Sequence, residues 1–279
     1  MISLNTEMEG ILRPVTLRED EYLDNSGLIL CKACHTPRQK RIDVGGRTME
    51  PRCMCACQQA EYDRREQERK HREFLDMVEK NRSIGLPDPD VRKHTFENDL
   101  GYNGAQMKKA RNYVTHWEEF RKSGTGLLLW GNVGTGKSFL AGCIANALLD
   151  KGVLVLMTNL ARLLNRLTDF HSGNRNAYID SLNRYPLLII DDLGIERNSE
   201  FAREQVFSLI DSRYRSGLPM IVTTNLTLEE LRNPADIARA RIYDRVLERC
   251  MPIRVNEQNI RELNKAANFS RANKLLSNG

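Results

Sequence analysis

The chain has 279 residues, 41% of them hydrophobic and 28% charged, with 42 Lys plus Arg against 37 Asp plus Glu and a formal net charge of +5. This composition supplies a buried core and excludes collagenous and disordered classes. No apolar run reaches the roughly 18 residues a membrane-spanning helix needs, and the stretch 1–14, with Glu7 and Glu9 and no apolar segment, does not read as a signal peptide. The expectation is a soluble cytoplasmic protein with no membrane partner, whose mild basic excess permits contact with nucleic acid.

The first strong signal is a cysteine cluster. Five of the seven cysteines lie between Cys31 and Cys57, as Cys31-x-x-Cys34, an 18-residue gap, then Cys53-x-Cys55-x-Cys57. Four thiolates close a tetrahedral zinc site, so the pair Cys31 and Cys34 with two of Cys53, Cys55 and Cys57 is expected to hold Zn2+. Gly45-Gly46 supplies the turn between the two arms. An iron–sulfur cluster is the alternative use of the same soft ligands. The predicted role is a staple for a segment too small to build an apolar core, here residues 1–60. Lys32, Arg38, Lys40, Arg41, Arg47 and Arg52 make this module basic.

Residues 61–95 read as a charged helix and a linker. Between Glu61 and Arg82 the charges are spaced to pair at i,i+4, with Phe74, Leu75, Met77 and Val78 available to dock the helix end. The stretch 83–95 contains two prolines and a glycine and is placed as the domain boundary.

From residue 96 to 279 apolar runs alternate with amphipathic stretches. Strands are predicted at 127–130, 153–157, 187–190, 220–222 and 253–255, with helices near 137–150, 159–170, 200–216 and 236–249. This alternation predicts an α/β fold with a parallel sheet covered on both faces. Cys143 and Cys250 read as core residues, and His71, His94, His116 and His171 as isolated surface histidines.

Gly131-Asn132-Val133-Gly134-Thr135-Gly136-Lys137-Ser138 follows the first of these strands and precedes a helix. It matches the glycine-rich loop whose backbone N–H groups cradle phosphates. Lys137 would reach the β- and γ-phosphates of ATP and Ser138 would ligate Mg2+. A second strand ends in Asp191-Asp192: Asp191 is expected to hold Mg2+ with Ser138, and Asp192 to orient or activate the attacking water. Asp is one methylene shorter than Glu, which predicts slow, switch-like ATP hydrolysis; Glu196 is a weaker alternative for that role. A third strand ends in Thr223-Thr224-Asn225, where a polar side chain can bond the water or the γ-phosphate. Arg241, Arg245 and Arg249 then form one cationic helix face, from which an arginine can act in trans on a neighbouring subunit's nucleotide.

With these motifs in this order, residues 96–262 resemble the AAA+ ATPases, and more narrowly the helicase-loader family of the DnaC/DnaI type, to which the IstB-like transposition helpers and the DnaA initiators are related. GNVGTGKS, LLIIDDLG, IVTTN and RIYDRV carry the resemblance. It implies an AAA+ P-loop NTPase with a three-layer parallel sheet and a truncated C-terminal lid, preceded by the small zinc-binding segment. It makes Gly131–Phe139 the nucleotide-binding loop, Asn225 the first sensor, Arg245 the arginine finger with Arg241 as second choice, and Arg261 a second nucleotide-contacting arginine. It further implies a loader that delivers a replicative hexameric helicase onto single-stranded DNA and self-associates through its ATP site. An IstB-like transposition helper, and a zinc adaptor that holds ATP only as a structural ligand, are the alternatives.

Overall fold

The computed structural model describes residues 16–169, 172–194, 199–255 and 259–277. They fall into two compact units that divide between Glu73 and Phe74. This division lies inside a helix, earlier than the expected boundary at 83–95.

The first unit has two short antiparallel hairpins. β1 (Glu21–Leu23) pairs with β2 (Ile29–Cys31), and β3 (Ile42–Val44) with β4 (Arg47–Met49). The β3–β4 turn is Gly45-Gly46, with φ of 58° and 78°, the doubly left-handed turn that matches strand twist. The apolar interior is slight: Ile29, Cys31 and Cys55 are buried, and with them the charged pair Glu21 and Arg38. Arg38 bonds Asp20 and Glu21, Arg52 bonds Glu21, and Arg41 bonds Glu50. Three of the six cations counted in the sequence are therefore paired internally, and the basic surface is smaller than the count suggested.

α1 (Ala56–Gly85) runs across the division. Its first half carries the expected charge ladder, with Arg64 paired to Glu61 and Glu68, Arg69 to Glu66 and Glu73, and Lys70 to Glu66. Its second half belongs to the larger unit. Val78 is buried, Arg82 bonds Asn146 and Asp150 of a later helix, and a Cβ on Gly85 would meet the Val155 carbonyl at 2.0 Å. The following residues also pack: Leu86 is fully buried, and the Asn146 amide donates to the carbonyls of Val91 and His94. The prolines Pro87 and Pro89 end the helix, but burial of Leu86 and Phe96 binds this stretch to the core.

The larger unit continues with α2 (Gly104–Thr115), α3 (Trp117–Ser123), β5 (Gly126–Trp130), α4 (Lys137–Asp150), β6 (Val155–Asn159), α5 (Leu160–Thr168), α6 (Ser172–Ser181), β7 (Leu187–Leu193), α7 (Glu200–Ser216), β8 (Met220–Thr224), α8 (Leu228–Arg232), α9 (Ile237–Arg249), β9 (Cys250–Arg254) and α10 (Ile260–Ser277). All five strands are parallel, in the order β6-β7-β8-β5-β9. Alternate residues face opposite layers. Leu127, Leu129, Leu187 and Ile189 join the cluster under α2 and α4, while Leu128, Leu188, Ile190 and Val222 join the one under α5, α7 and α9. This is the expected three-layer AAA+ P-loop fold. Strand β6 starts two residues later than predicted, because Gly152 and Val153 close the preceding helix onto Leu149 and Leu148. Cys143 and Cys250 are core residues, as expected.

A buried arginine fixes the start of two strands. Arg213 on α7 is 1% exposed, and among the described residues no carboxylate pairs with it. Its guanidinium donates to the carbonyls of Tyr185, Pro186 and Pro219, which lead into β7 and β8, and burial lowers its pKa to about 10. Arg213→Leu would strand these carbonyls. We expect a loss of roughly 2–4 kcal/mol in urea denaturation, since each unsatisfied buried polar group costs about 1–3 kcal/mol. An unchanged midpoint would show that the bonds contribute nothing net.

Candidate functional site

The phosphate loop joins β5 to α4. Its glycines are used as glycines: Gly134 and Gly136 have φ of 79° and 95°, and a Cβ on Gly134 would meet the Asn259 amide oxygen at 2.1 Å. Lys137 is 5% exposed and folds back over the loop, donating to the carbonyls of Gly131 at 2.9 Å and Asn132 at 2.7 Å. Burial lowers its pKa, and the facing Asp192 and Asp191 oppose that shift. Thr135 closes the loop by donating to the Asn132 carbonyl, and the Asn103 amide donates to the Thr135 carbonyl.

Across the loop, β7 and β8 present a tight hydroxyl–carboxylate network. Ser138 Oγ donates to Asp191 Oδ1 at 2.9 Å, and Thr223 Oγ1 donates to the same oxygen at 2.6 Å. Thr223 Oγ1 also accepts the Asp192 N–H at 2.9 Å. The buried Thr223 thus fixes both acidic residues. The strand register slips between Ile190 and Leu193, and Asp192 takes a φ of 60°, left-handed backbone that only a few non-glycine residues adopt. The bulge turns Asp192 into the cavity instead of along the sheet face. Burial raises the Asp192 pKa and the neighbouring Asp191 adds to this, while Lys137 and Arg261 oppose it.

One cavity of about 590 Å³ gathers most of the residues expected to meet nucleotide: Val133, Gly134, Gly136, Lys137, Ser138, Phe139, Asp192, Asn225 and Arg261 all line it. Asp191 stands one hydrogen bond behind Ser138, and Gly131, Asn132 and Thr135 form the loop wall. Arg261 reaches the cavity from the first turn of α10, whose Ile260 N–H bonds the Gly134 carbonyl. Arg245 is not among the lining residues; it lies on α9, where Asp211 of its own chain pairs with it. Glu196 lies outside the described residues, as does His171.

The opposite wall was not legible in the sequence. His94, Asn98, Asp99, Leu100, Tyr102 and Asn103 come from the stretch before and at the start of α2. His94 is not the surface residue expected. It is half-buried, its ring lies 5.1 Å from that of Phe139, and desolvation lowers its pKa. The signal was in Gly142, where a Cβ would strike His94 at 2.6 Å, but a glycine inside a helix does not say what approaches it.

In the smaller unit, Cys31, Cys34, Cys55 and Cys57 bring their four sulfurs within 4.8 Å of one another. Thiolates about 2.3 Å from a tetrahedral zinc stand about 3.8 Å apart. The Cys31–Cys57 and Cys55–Cys57 separations, 3.7 Å and 3.3 Å, fit that arrangement. Crowding by Cys55, Cys31 and Cys34 pushes the Cys57 thiol up to about 12. The structure thus selects four of the five clustered cysteines. Cys53 is exposed, with its sulfur against the Pro37 carbonyl.

Comparison with known proteins matches residues 63–268 to the family described as "IstB-like ATP binding protein", which covers most of the chain. The chain belongs to this family. Among the relatives of this IstB-like protein is the replicative helicase loader DnaC of Escherichia coli (strain K12), 31% identical over 143 residues, 50% of this chain and 56% of that protein. The replicative helicase loader DnaI of Bacillus subtilis (strain 168) is 27% identical over 171 residues, 56% of this chain and 54% of that protein. The chain therefore spans about half the length of the curated relatives it matches. A crystal structure of DnaI superposes with a TM-score of 0.51 at 26% identity, over 62% of this chain and 93% of that one. Membership carries nucleotide binding. Among the described residues no helix is long and apolar enough to cross a membrane.

Proposed function

We propose that this IstB-like protein is an ATP-dependent loader that delivers a replicative hexameric helicase onto single-stranded DNA in the cytoplasm. The observation that carries the reading is the convergence of Lys137, Ser138, Asp192, Asn225 and Arg261 on one cavity, with Asp191 and Thr223 locked behind it. The likeness to DnaC and DnaI supports the loader reading among ATPases of this fold.

In this reading Lys137 exchanges its two loop carbonyls for the β- and γ-phosphates, and the N–H groups of Gly134–Ser138 cradle the rest. Ser138 and Asp191 are the residues that would hold Mg2+, which neutralises charge developing on the phosphates. Asp192, held by the Thr223 bond, orients the attacking water, and its raised pKa suits a proton acceptor. Its short side chain makes turnover slow, so that hydrolysis acts as a release signal. Asn225 positions the water or the γ-phosphate, and Arg261 reports nucleotide to α10. Phe139, His94 and residues 98–103 enclose the base. Arg245 acts in trans, on the nucleotide of a second copy. The four-cysteine module holds Zn2+ as a staple and, with the charged half of α1, engages the helicase.

The test is co-purification with mass spectrometry from the native host, using the full chain and a form lacking residues 31–73, which leaves the half of α1 that packs in the larger unit. The expected result is recovery of a replicative helicase by the full chain alone. Recovery of a transposase instead would support the IstB-like transposition helper. No helicase, and no loss on truncation, would defeat the loader reading.

A further inference from the structure

The arginine face of α9 does not project freely into solvent. Arg241, Arg245 and Arg249 interleave with two aromatic residues of α7. Arg241 lies over the Phe207 ring at 4.3 Å and Arg245 over the same ring at 4.9 Å. Arg245 also lies 5.6 Å from the Tyr214 ring, and Arg249 lies over that ring at 4.8 Å. Phe207, Asp211 and Tyr214 share one face of α7 through spacings of four and three residues, so α7 presents a ladder of the same pitch. The Tyr214 hydroxyl is itself anchored, donating to Glu248.

Arg245 is held on its edges as well as beside the rings. Nε donates to Asp211 Oδ1 at 2.9 Å, and Nη1 donates to the Arg241 carbonyl at 2.8 Å. Asp211 is 14% exposed and also takes Arg215 at 2.5 Å, so two cations fix its carboxylate. Nη2 of Arg245 makes no hydrogen bond among the described residues. The side chain is 22% exposed and lines a surface cavity of about 420 Å³ together with Leu231, Arg232, Pro234, Arg241 and Asp244. A solvated ion pair alone would contribute little. Here one pair, with the Arg241 carbonyl and the two rings, fixes the plane of a guanidinium that stays partly exposed.

We propose that Asp211, with Phe207 and Tyr214 as the rail, is a positioning residue that holds Arg245 in the pose offered to the ATP γ-phosphate of a second copy of this chain. The inference rests on the reading that Arg245 acts in trans. Its physical content is pre-organisation: an arginine ordered before assembly does not lose its rotamer freedom on docking. Asp211 bonds Nε, and Nη2 makes no hydrogen bond among the described residues, so Asp211 need not release Arg245 for contact to occur.

The test measures self-association by sedimentation velocity with a non-hydrolysable ATP analogue, and single-turnover ATP hydrolysis. Arg245→Ala is expected to abolish assembly. Asp211→Ala should raise the concentration for half-assembly about 10-fold, the scale of one immobilised side chain, and lower kcat with nucleotide KM unchanged. Asp211→Asn should lie between, and the double variant should be no worse than Arg245→Ala alone. Mixing Asp211→Ala with Lys137→Ala, whose arginine ladder is intact, should restore turnover at the unaltered phosphate loops; a misfolded Asp211→Ala would not respond. If wild type does not assemble with nucleotide, or Arg245→Ala behaves as wild type, the in-trans reading falls and the positioning role with it. If Arg245→Ala is defective while Asp211→Ala matches wild type, or the double variant is additively worse, the positioning role alone falls.

Discussion

Lys137→Ala is expected to lower ATP turnover roughly 100- to 1000-fold, the range found when one pre-organised donor to a developing charge is removed. The lysine is almost fully buried and held over the loop by two carbonyls, so its ammonium is already in the site and has only to exchange those two bonds for the phosphates. Its removal should spare the loop itself. Thr135 still closes the turn onto the Asn132 carbonyl, and Asn103 still braces it from α2. Nucleotide affinity should therefore weaken while thermal stability without nucleotide stays near that of wild type. Radiolabelled ATP in single turnover, with calorimetric titration of the analogue, separates the two effects. Equal turnover in both proteins, with bound ATP intact, would leave only a structural role for the nucleotide.

The sequence displayed the parts of this site whose chemistry is local. A glycine-rich loop between a strand and a helix, and a strand ending in two carboxylates, announce themselves because each motif is a contiguous run. The parallel sheet was legible for the same reason: Leu187–Ile190 and Leu127–Trp130 are short apolar runs buried on both faces. What could not be read was long-range. Asn103 meets Thr135 across 32 residues, and Thr223 meets Asp191 across 32, with no pattern in the chain to pair them. The stretch 83–95 misled because proline and glycine report only on backbone freedom. They say nothing about Leu86, whose complete burial makes the segment part of the core. The arginine stripe was visible as an i,i+4 repeat, but its partners Phe207 and Tyr214 lie on another helix whose spacing matters only once the two pack.

Metal removal should have the other large effect, and it should be confined to the smaller unit. Among the described residues of this unit Ile29 and two cysteines are the buried apolar ones, so the hairpins and the start of α1 bury little hydrophobic surface of their own. Glu21 and Arg38 are buried there too, and their pairing is costly to maintain without a fixed frame. Structural zinc in such modules contributes on the order of 10 kcal/mol, so binding and folding are one event. Cys55→Ser, or treatment of the wild type with a strong chelator, should abolish bound zinc and open residues 16–56 to limited proteolysis. Nucleotide binding by the larger unit should stay within about 2-fold, because its core is built from separate clusters. Cys53→Ser should retain about one zinc per chain, as four thiolates suffice for a closed site. Elemental analysis and a protease time course on the three samples decide the matter. Loss of zinc in Cys53→Ser, or protection of residues 16–56 after chelation, would show that the four-sulfur cluster does not hold this unit together.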